Sequence, residues 1–266
     1  MKTLIADCGA TKTAWLCSGG RTLVTPGVNF SHTPREQLEA VFSSAAAQLG
    51  PEADQIFVYA AGLVEAPSVR LERWFPGARV HYASDLLAAA RATCGREKGV
   101  AAILGTGSGT CLWDGEKMVR QLPGGGYILG DEGSAAVLGR QFLSDYIRNL
   151  IPSEVVRDFE SRFPSAYPDI VRSVYGSEAP ARYLGSLAPF VLEHYAQPYI
   201  KELVDKHFRR FFERCVVPLG ALPLGVVGGF GYAARDILRT IGPEYGVQVR
   251  SILPSPMEGL KTYHGI

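Results

Sequence analysis

The chain has 266 residues, 47% of them hydrophobic, which suffices for one large domain or two modest ones. Its 27 basic and 26 acidic side chains leave a net charge of +1, so nothing electrostatic recommends a nucleic-acid partner or an anionic membrane surface. No apolar run approaches membrane-spanning length, the first residues lack a signal-peptide pattern, and the cysteines are scattered through apolar segments. A cytoplasmic location with reduced core thiols is expected, without a zinc or iron–sulfur centre.

In chain order, Leu4 to Asp7 reads as a short buried strand. Ala14 to Cys17 and Thr22 to Thr25 flank Ser18-Gly19-Gly20, a hairpin signal. Thr33-Pro34-Arg35-Glu36 predicts a capped helix start, with proline in the first turn and the helix running to Gly50-Pro51. A strand at Ile56 to Ala60, a short helix from Pro67 to Phe75 and a strand at Arg79 to Tyr82 follow. Ser84 or Asp85 then caps a helix over Leu86 to Cys94, and the strand Val100 to Leu104 leads into GTGSGT. Helices are expected over Ser134 to Leu150, Ser153 to Phe163, Ala179 to His194 and Tyr199 to Val216. LGVVGGFGYAARDILR reads as strand, glycine turn and helix, Gln248 to Ile252 as a last strand, and the remainder as a short tail.

A repeat is visible. At a shift of 98 positions Ile5 falls on Ile103, Gly9 on Gly107 and Trp15 on Trp113, each in a strand, a glycine/threonine turn and a second strand. The pattern predicts two related sheets that each present a loop of small residues, with a ligand held by both. The glycines let backbone N–H groups approach an anion, and Thr11, Lys12, Thr13, Thr106, Ser108 and Thr110 add donors. An ordinary hairpin turn explains either loop taken alone.

Other motifs fail on spacing: there is no Gly-x4-Gly-Lys-Ser/Thr loop, GTGSGT ends on Thr110 where a dinucleotide fingerprint needs glycine or alanine, and no serine sits in a hydrolase elbow. Asp7, at a strand end beside a phosphate loop, suits Mg²⁺ held directly or through water, although a turn aspartate capping its own backbone fits equally. In GGGYILGDEGSAAVLGR the triple glycine permits close approach of a ligand. Asp131 and Glu132 offer acceptors to a polyol, and helix capping readily explains one of the two. Asp85, where a strand passes into a helix, can be an N-cap, a general base, or both. The glycines of VVGGFGYAARD can underlie an adenosine or simply make a turn.

Together DCGATKT (7–13), LGTGSGTCLWDG (104–115), GGGYILGDEGSA (124–135) and VVGGFG (226–231) resemble, in order, the motifs of the BadF/BadG/BcrA/BcrD-type ATPase family on its N-acetylglucosamine kinase branch. The resemblance implies an α/β, two-lobed, duplicated ribonuclease H-like (actin-like ATPase) fold with mixed sheets flanked by helices. The first lobe would span 1–104, with the tail 256–266 free to return to it. The second would span 105–255, with a helical insertion at about 140–220.

It further implies ATP and Mg²⁺ as cofactors. Asp85 would be the catalytic base and Asp7 the Mg²⁺ ligand. Gly9, Thr11, Lys12, Thr106 and Gly107 would lie on the phosphates, and Gly228 and Gly229 on the adenosine side. Asn29, Gly124, Gly125 and Asp131 would contact the amino sugar. A homodimer is implied, with no nucleic acid and no membrane. The family carries tryptophan where Gly125 stands and often histidine where Tyr127 stands, and the segment from Gly139 to Leu224 matches weakly. A regulatory ATPase of the same family and a non-catalytic sugar sensor are the alternatives.

Overall fold

The computed structural model describes residues 2–9, 12–31, 33–63, 67 and 69–266. It divides into two compact units, Met1–Gly95 with Ser255–Ile266, and Arg96–Pro254. Each is built on one mixed five-stranded sheet flanked by helices.

In the first unit the strands are β1 (Thr3–Cys8), β2 (Lys12–Cys17), β3 (Thr22–Pro26), β4 (Gln55–Ala60) and β5 (Arg79–Ser84), in spatial order β3-β2-β1-β4-β5. β1 pairs antiparallel with β2 and parallel with β4, which is parallel to β5. The near-continuous apolar run of β1 follows from burial on both faces. Leu4, Ala6 and Cys8 pack with Val41, Phe42 and Ala45 of the Arg35–Leu49 helix. Ile5 packs on the opposite face with Tyr59, Ala88 and Leu260. By strand alternation Asp7 emerges on that second face, one step beyond Ile5.

The second unit repeats this plan with β6 (Gly99–Leu104), β7 (Ser108–Trp113), β8 (Met118–Leu122), β9 (Leu224–Val227) and β10 (Val249–Leu253), ordered β10-β9-β6-β7-β8. β6 pairs antiparallel with β7, and β7 with β8, while β6 is parallel to β9 and β9 to β10, as in the first unit. The duplication is therefore present in the topology, but its offset differs from the sequence reading. β6, β7 and β8 each begin 96 residues after β1, β2 and β3, so Gly9 corresponds to Gly105 rather than Gly107. A gap of 98 aligns glycine and tryptophan letters; in the paired registers β7 follows β2 by 95, because three residues separate the partners Leu104 and Ser108 where four separate Cys8 and Thr13. The unit boundary likewise falls before β6, earlier than the expected 104/105, because β6 is the central strand of the second sheet.

Several elements differ from expectation. Pro34 occupies the helix N-cap and gives no side-chain cap; Thr33 instead accepts the Asn29 N–H at its hydroxyl, 2.8 Å. The helix expected over 67–75 is a single 3-10 turn, Leu71–Arg73, whose Leu71 N–H is held by the Tyr82 hydroxyl at 2.7 Å. The first long helix of the second unit stops at Tyr146, and Asn149 beyond it takes the left-handed conformation (φ 56°). The helix expected over 179–194 breaks at Leu187 into Pro180–Ser186 and Ala188–Glu193, with Pro189 early in the second piece. The next helix, Pro198–Phe211, passes into a π turn, Phe212–Val216. Three helices had no counterpart in the reading: the short Gly126–Leu129, Tyr167–Tyr175, and Met257–His264 in the stretch taken as a tail.

The Met257–His264 helix packs on the Asp85–Cys94 helix closely enough that a Cβ on Gly259 would lie 2.3 Å from the Ala92 carbonyl oxygen. His264 accepts or donates at Tyr59 (Nε2 to Oη 2.8 Å), and its ring lies 3.9 Å from that of Phe57, centroid to centroid. No helix of the described residues is long and apolar enough to cross a membrane.

Candidate functional site

In the first unit, two carboxylates sit at the carboxyl edge of the parallel strands. Asp7 is the penultimate residue of β1, in register with Tyr59 on β4, and Asp85 directly follows β5. That edge is where open α/β sheets place their ligands, because the helices that follow the strands turn their N-termini toward it. The capping role falls to Ser84, whose hydroxyl accepts the Leu87 N–H at 3.2 Å. Such a cap contributes about 1 kcal/mol. Asp85 is the first helical residue, with Oδ1 accepting the Leu86 N–H at 2.8 Å.

Burial lifts both acids. Asp7 is pushed up to about 6, first by burial and then by the charge of Asp85, with Lys12 opposing. Asp85 is raised by burial, against the Leu86 N–H. Two half-buried carboxylates that resist ionising, one under the other's field, form an oxygen donor set for a hard divalent cation. Among the described residues no group of three or more His, Cys, Asp or Glu could hold a metal, so a cation here needs oxygens from water or a phosphate as well.

The first hairpin loop is closed by Gly9 N–H to Lys12 C=O, 3.0 Å, and Lys12 opens β2 with an exposed side chain. Thr11 lies outside the described residues. Asn29 stands beyond β3; its Oδ1 accepts the Ser31 N–H at 2.9 Å, and a Cβ on Gly62 would meet that oxygen at 2.4 Å.

In the second unit, residues 105–107 join β6 to β7. The Gly105 and Thr106 carbonyls accept the Ala135 and Ala136 N–H groups at 2.9 and 3.1 Å, fixing the loop to the start of the Ala135–Tyr146 helix. Ser134, not an acid, caps that helix, so the capping explanation for Asp131 and Glu132 fails. Asp131 is half-buried in a left-handed conformation (φ 51°), with its N–H on the Gly124 carbonyl at 2.9 Å. Burial raises the proton affinity of its carboxylate, and the Ser108 and Gly126 amides oppose that rise. Cβ atoms on Gly107 and Gly124 would approach the carboxylate to 3.0 and 3.2 Å. Glu132 turns elsewhere, to Arg214 at 3.2 Å and Arg210 at 3.9 Å. Gly125 adopts φ 80° at the head of the short helix Gly126–Leu129.

A cavity of about 660 Å³ opens beside the 105–107 loop. Gly105 and Thr106 form one part of its wall, Gly229, Phe230 and Ala233 another, and Ala188, Pro189, Leu192 and Glu193 a third. Gly228 sits behind it at φ 129°, where a Cβ would lie 2.3 Å from the Leu104 carbonyl oxygen. The cavity thus brings Thr106 and Gly229 together, while Gly107 and Gly228 lie outside its lining, the first beside Asp131 and the second against the Leu104 backbone. The Ala188–Glu193 contribution escaped the sequence reading. Its signal was the 188, 189, 192, 193 spacing, one face of a helix, in a segment without recognisable motifs.

Solved structures similar to this chain include proteins described as sugar kinases. A protein of Porphyromonas gingivalis described as a "putative N-acetylglucosamine kinase" is 34% identical, with 98% of each chain covered and a TM-score of 0.89. The chain belongs to the sugar kinase superfamily. A Chromobacterium violaceum protein of the same description matches at 22% identity over 98% of each chain, TM-score 0.73. A ROK family glucokinase from Streptomyces griseus, in complex with glucose and AMPPNP, matches at 17% identity over 99% of this chain and 98% of its own, TM-score 0.58. These two share the fold. No family model and no curated relative matches the chain. The actin-like ATPase architecture expected from the motifs is the one observed.

Proposed function

We propose that this protein is an ATP-dependent kinase of the BadF/BadG/BcrA/BcrD type that phosphorylates an amino-sugar hydroxyl, with N-acetylglucosamine going to its 6-phosphate. The observation that carries the reading is the pair of acids on the carboxyl edge of the first sheet, in a chain 34% identical over its length to a protein described as such a kinase. Asp85 is the base. Its raised proton affinity suits it to take the proton of the attacking hydroxyl as the γ-phosphoryl group transfers in line. Asp7, with Asp85 nearby, would hold Mg²⁺, and the ion when bound neutralises phosphate charge.

Lys12 and the Gly9 and Thr11 loop are the phosphate-binding candidates of the first unit, and Thr106 and Gly107 those of the second. The 660 Å³ cavity takes the nucleoside, with Gly229 leaving room for a flat base and Gly228 allowing the close approach of strand and turn. Asn29, Gly124, Gly125 and Asp131 bind the sugar. A homodimer in the cytoplasm completes the proposal.

The test is incubation with ATP, Mg²⁺ and a panel of amino sugars, following ADP release and identifying the phosphorylated sugar. Sugar-stimulated ADP release with stoichiometric sugar phosphate is expected; ATP turnover indifferent to every sugar overturns the reading.

A further inference from the structure

In the second unit the helices Ala135–Tyr146 and Tyr167–Tyr175 border a groove of about 280 Å³ that neither candidate site uses. Leu143 and Ile147 line it from the first helix and the turn after it, Ile170 and Val174 from the second, and Leu184 completes the wall. On both sides the lining residues recur at steps of three and four, one face of a helix, so two apolar stripes border the same unfilled space. Tyr167 and Tyr175 carry the surface past the rim, the latter 84% exposed. Aromatic and aliphatic groups gathered on a surface in this way mark a place of contact.

The charges at the groove are of one sign. Arg140 and Arg148 line it, and none of the lining residues is an acid. Arg162 and Arg172, on neighbouring helices, have carboxylate partners. Among the described residues Arg140 and Arg148 form no ion pair: Arg140 donates to the Ile128 carbonyl at 3.1 Å, and Arg148 to the Ser144 carbonyl and hydroxyl at 2.8 and 2.9 Å. Each guanidinium has five N–H groups, so most of its donors remain for another acceptor.

We propose that this groove binds a small amphipathic acid, a carboxylate on a short alkyl or aryl body. The body fills the space between the two stripes, and the carboxylate takes paired N–H donors from Arg140 or Arg148. A second copy of the chain fits this face poorly: in a two-fold contact the patch meets itself, and arginine would stand against arginine. The groove is distinct from the cavity assigned to the nucleoside. Leu184 and Gly185, adjacent on the Pro180–Ser186 helix, line the groove and the cavity respectively. The proposal therefore does not depend on the kinase reading.

The experiment is calorimetric titration of the full chain with octanoate, and with octanol as its uncharged counterpart. Octanoate is expected to bind the wild type at a single site, about tenfold tighter than octanol. Arg140→Gln combined with Arg148→Gln should weaken octanoate about tenfold and leave octanol unchanged, a pattern that damage to the fold does not produce. Saturating Mg²⁺-AMPPNP should leave octanoate bound. The proposal is overturned by a wild type that does not bind octanoate or binds it no tighter than octanol, and these two titrations need no variant to fold. It is overturned equally if the arginine substitutions leave octanoate affinity unchanged, or if Mg²⁺-AMPPNP displaces octanoate. Light scattering supplies the last arm: a wild-type dimer that Tyr175→Asp splits into monomers would assign the face to a second copy and overturn the proposal.

Discussion

The two units share a framework and differ in chemistry. β1 and β6 are central in sheets of the same order and have the same burial pattern along all six residues. At the fifth position, the one not fully buried, β1 carries Asp7 and β6 carries Ile103. After β5 comes Asp85; after β10 comes Pro254. The first unit therefore has two acids at these strand-end positions, where the second has Ile103 and Pro254, and the second unit has a cavity lined by the Ala188–Glu193 helix. A duplicated sheet constrains where ligands can bind, and the residues at the ends of its strands decide what each copy can do there.

The largest effect expected from breaking this asymmetry is at the base. Asp85→Asn should lower kcat by about 10²–10⁴-fold while a fluorescent ATP analogue still binds, as measured by steady-state kinetics and equilibrium titration. An unchanged kcat would return Asp85 to a purely helical role. Removing the first unit's strand-end charge by Asp7→Asn should shift the Mg²⁺ concentration for half-maximal activity up by about 10–100-fold, since the proposed Mg²⁺ ligand loses its charge. In the second unit, Gly229→Val fills the open wall of the cavity and should raise the KM for ATP about tenfold with the sugar KM unchanged, a split that a general folding defect would not produce.

Gly228→Ala tests the wall rather than the contents. A methyl group would stand 2.3 Å from the Leu104 carbonyl at φ 129°, so thermal unfolding should show a loss of about 1–3 kcal/mol. The smallest effect concerns acid. Burial, Arg91 and His81 push His264 down to about 4 from an ordinary 6.5, so the folded first unit keeps it neutral while the unfolded chain protonates it. Stability should fall as pH drops from about 6.5 to about 4, and His264→Gln should flatten that part of a melting-temperature profile.

Much of this was legible along the chain because it is written in local chemistry. The apolar run before Asp7, the Ser18-Gly19-Gly20 turn and the strand preceding GTGSGT each specify their element by period and turn residues, so the paired hairpins were expected and observed. The helix of residues 257–264 was not, since eight residues with mixed polarity carry little periodicity until the Asp85–Cys94 helix and Phe57 supply a surface to bury against. The offset of the repeat was also hidden: letters match at 98, whereas the paired strands put β6 96 residues after β1 and β7 95 after β2, a difference that only interstrand pairing reveals.

The sequence by itself determined the alternation of strands and helices, the two glycine-threonine loops and the identity of the acids, because these depend on neighbours within a few residues. Tertiary structure alone decided which acid was free for chemistry. Ser84 and Ser134 took the helix caps, Arg210 and Arg214 took Glu132, and Asp7, Asp85 and Asp131 were left half-buried without a Lys or Arg ion pair among the described residues. A carboxylate's role is set by what solvates its charge, and in a folded chain most of those groups come from far along the sequence.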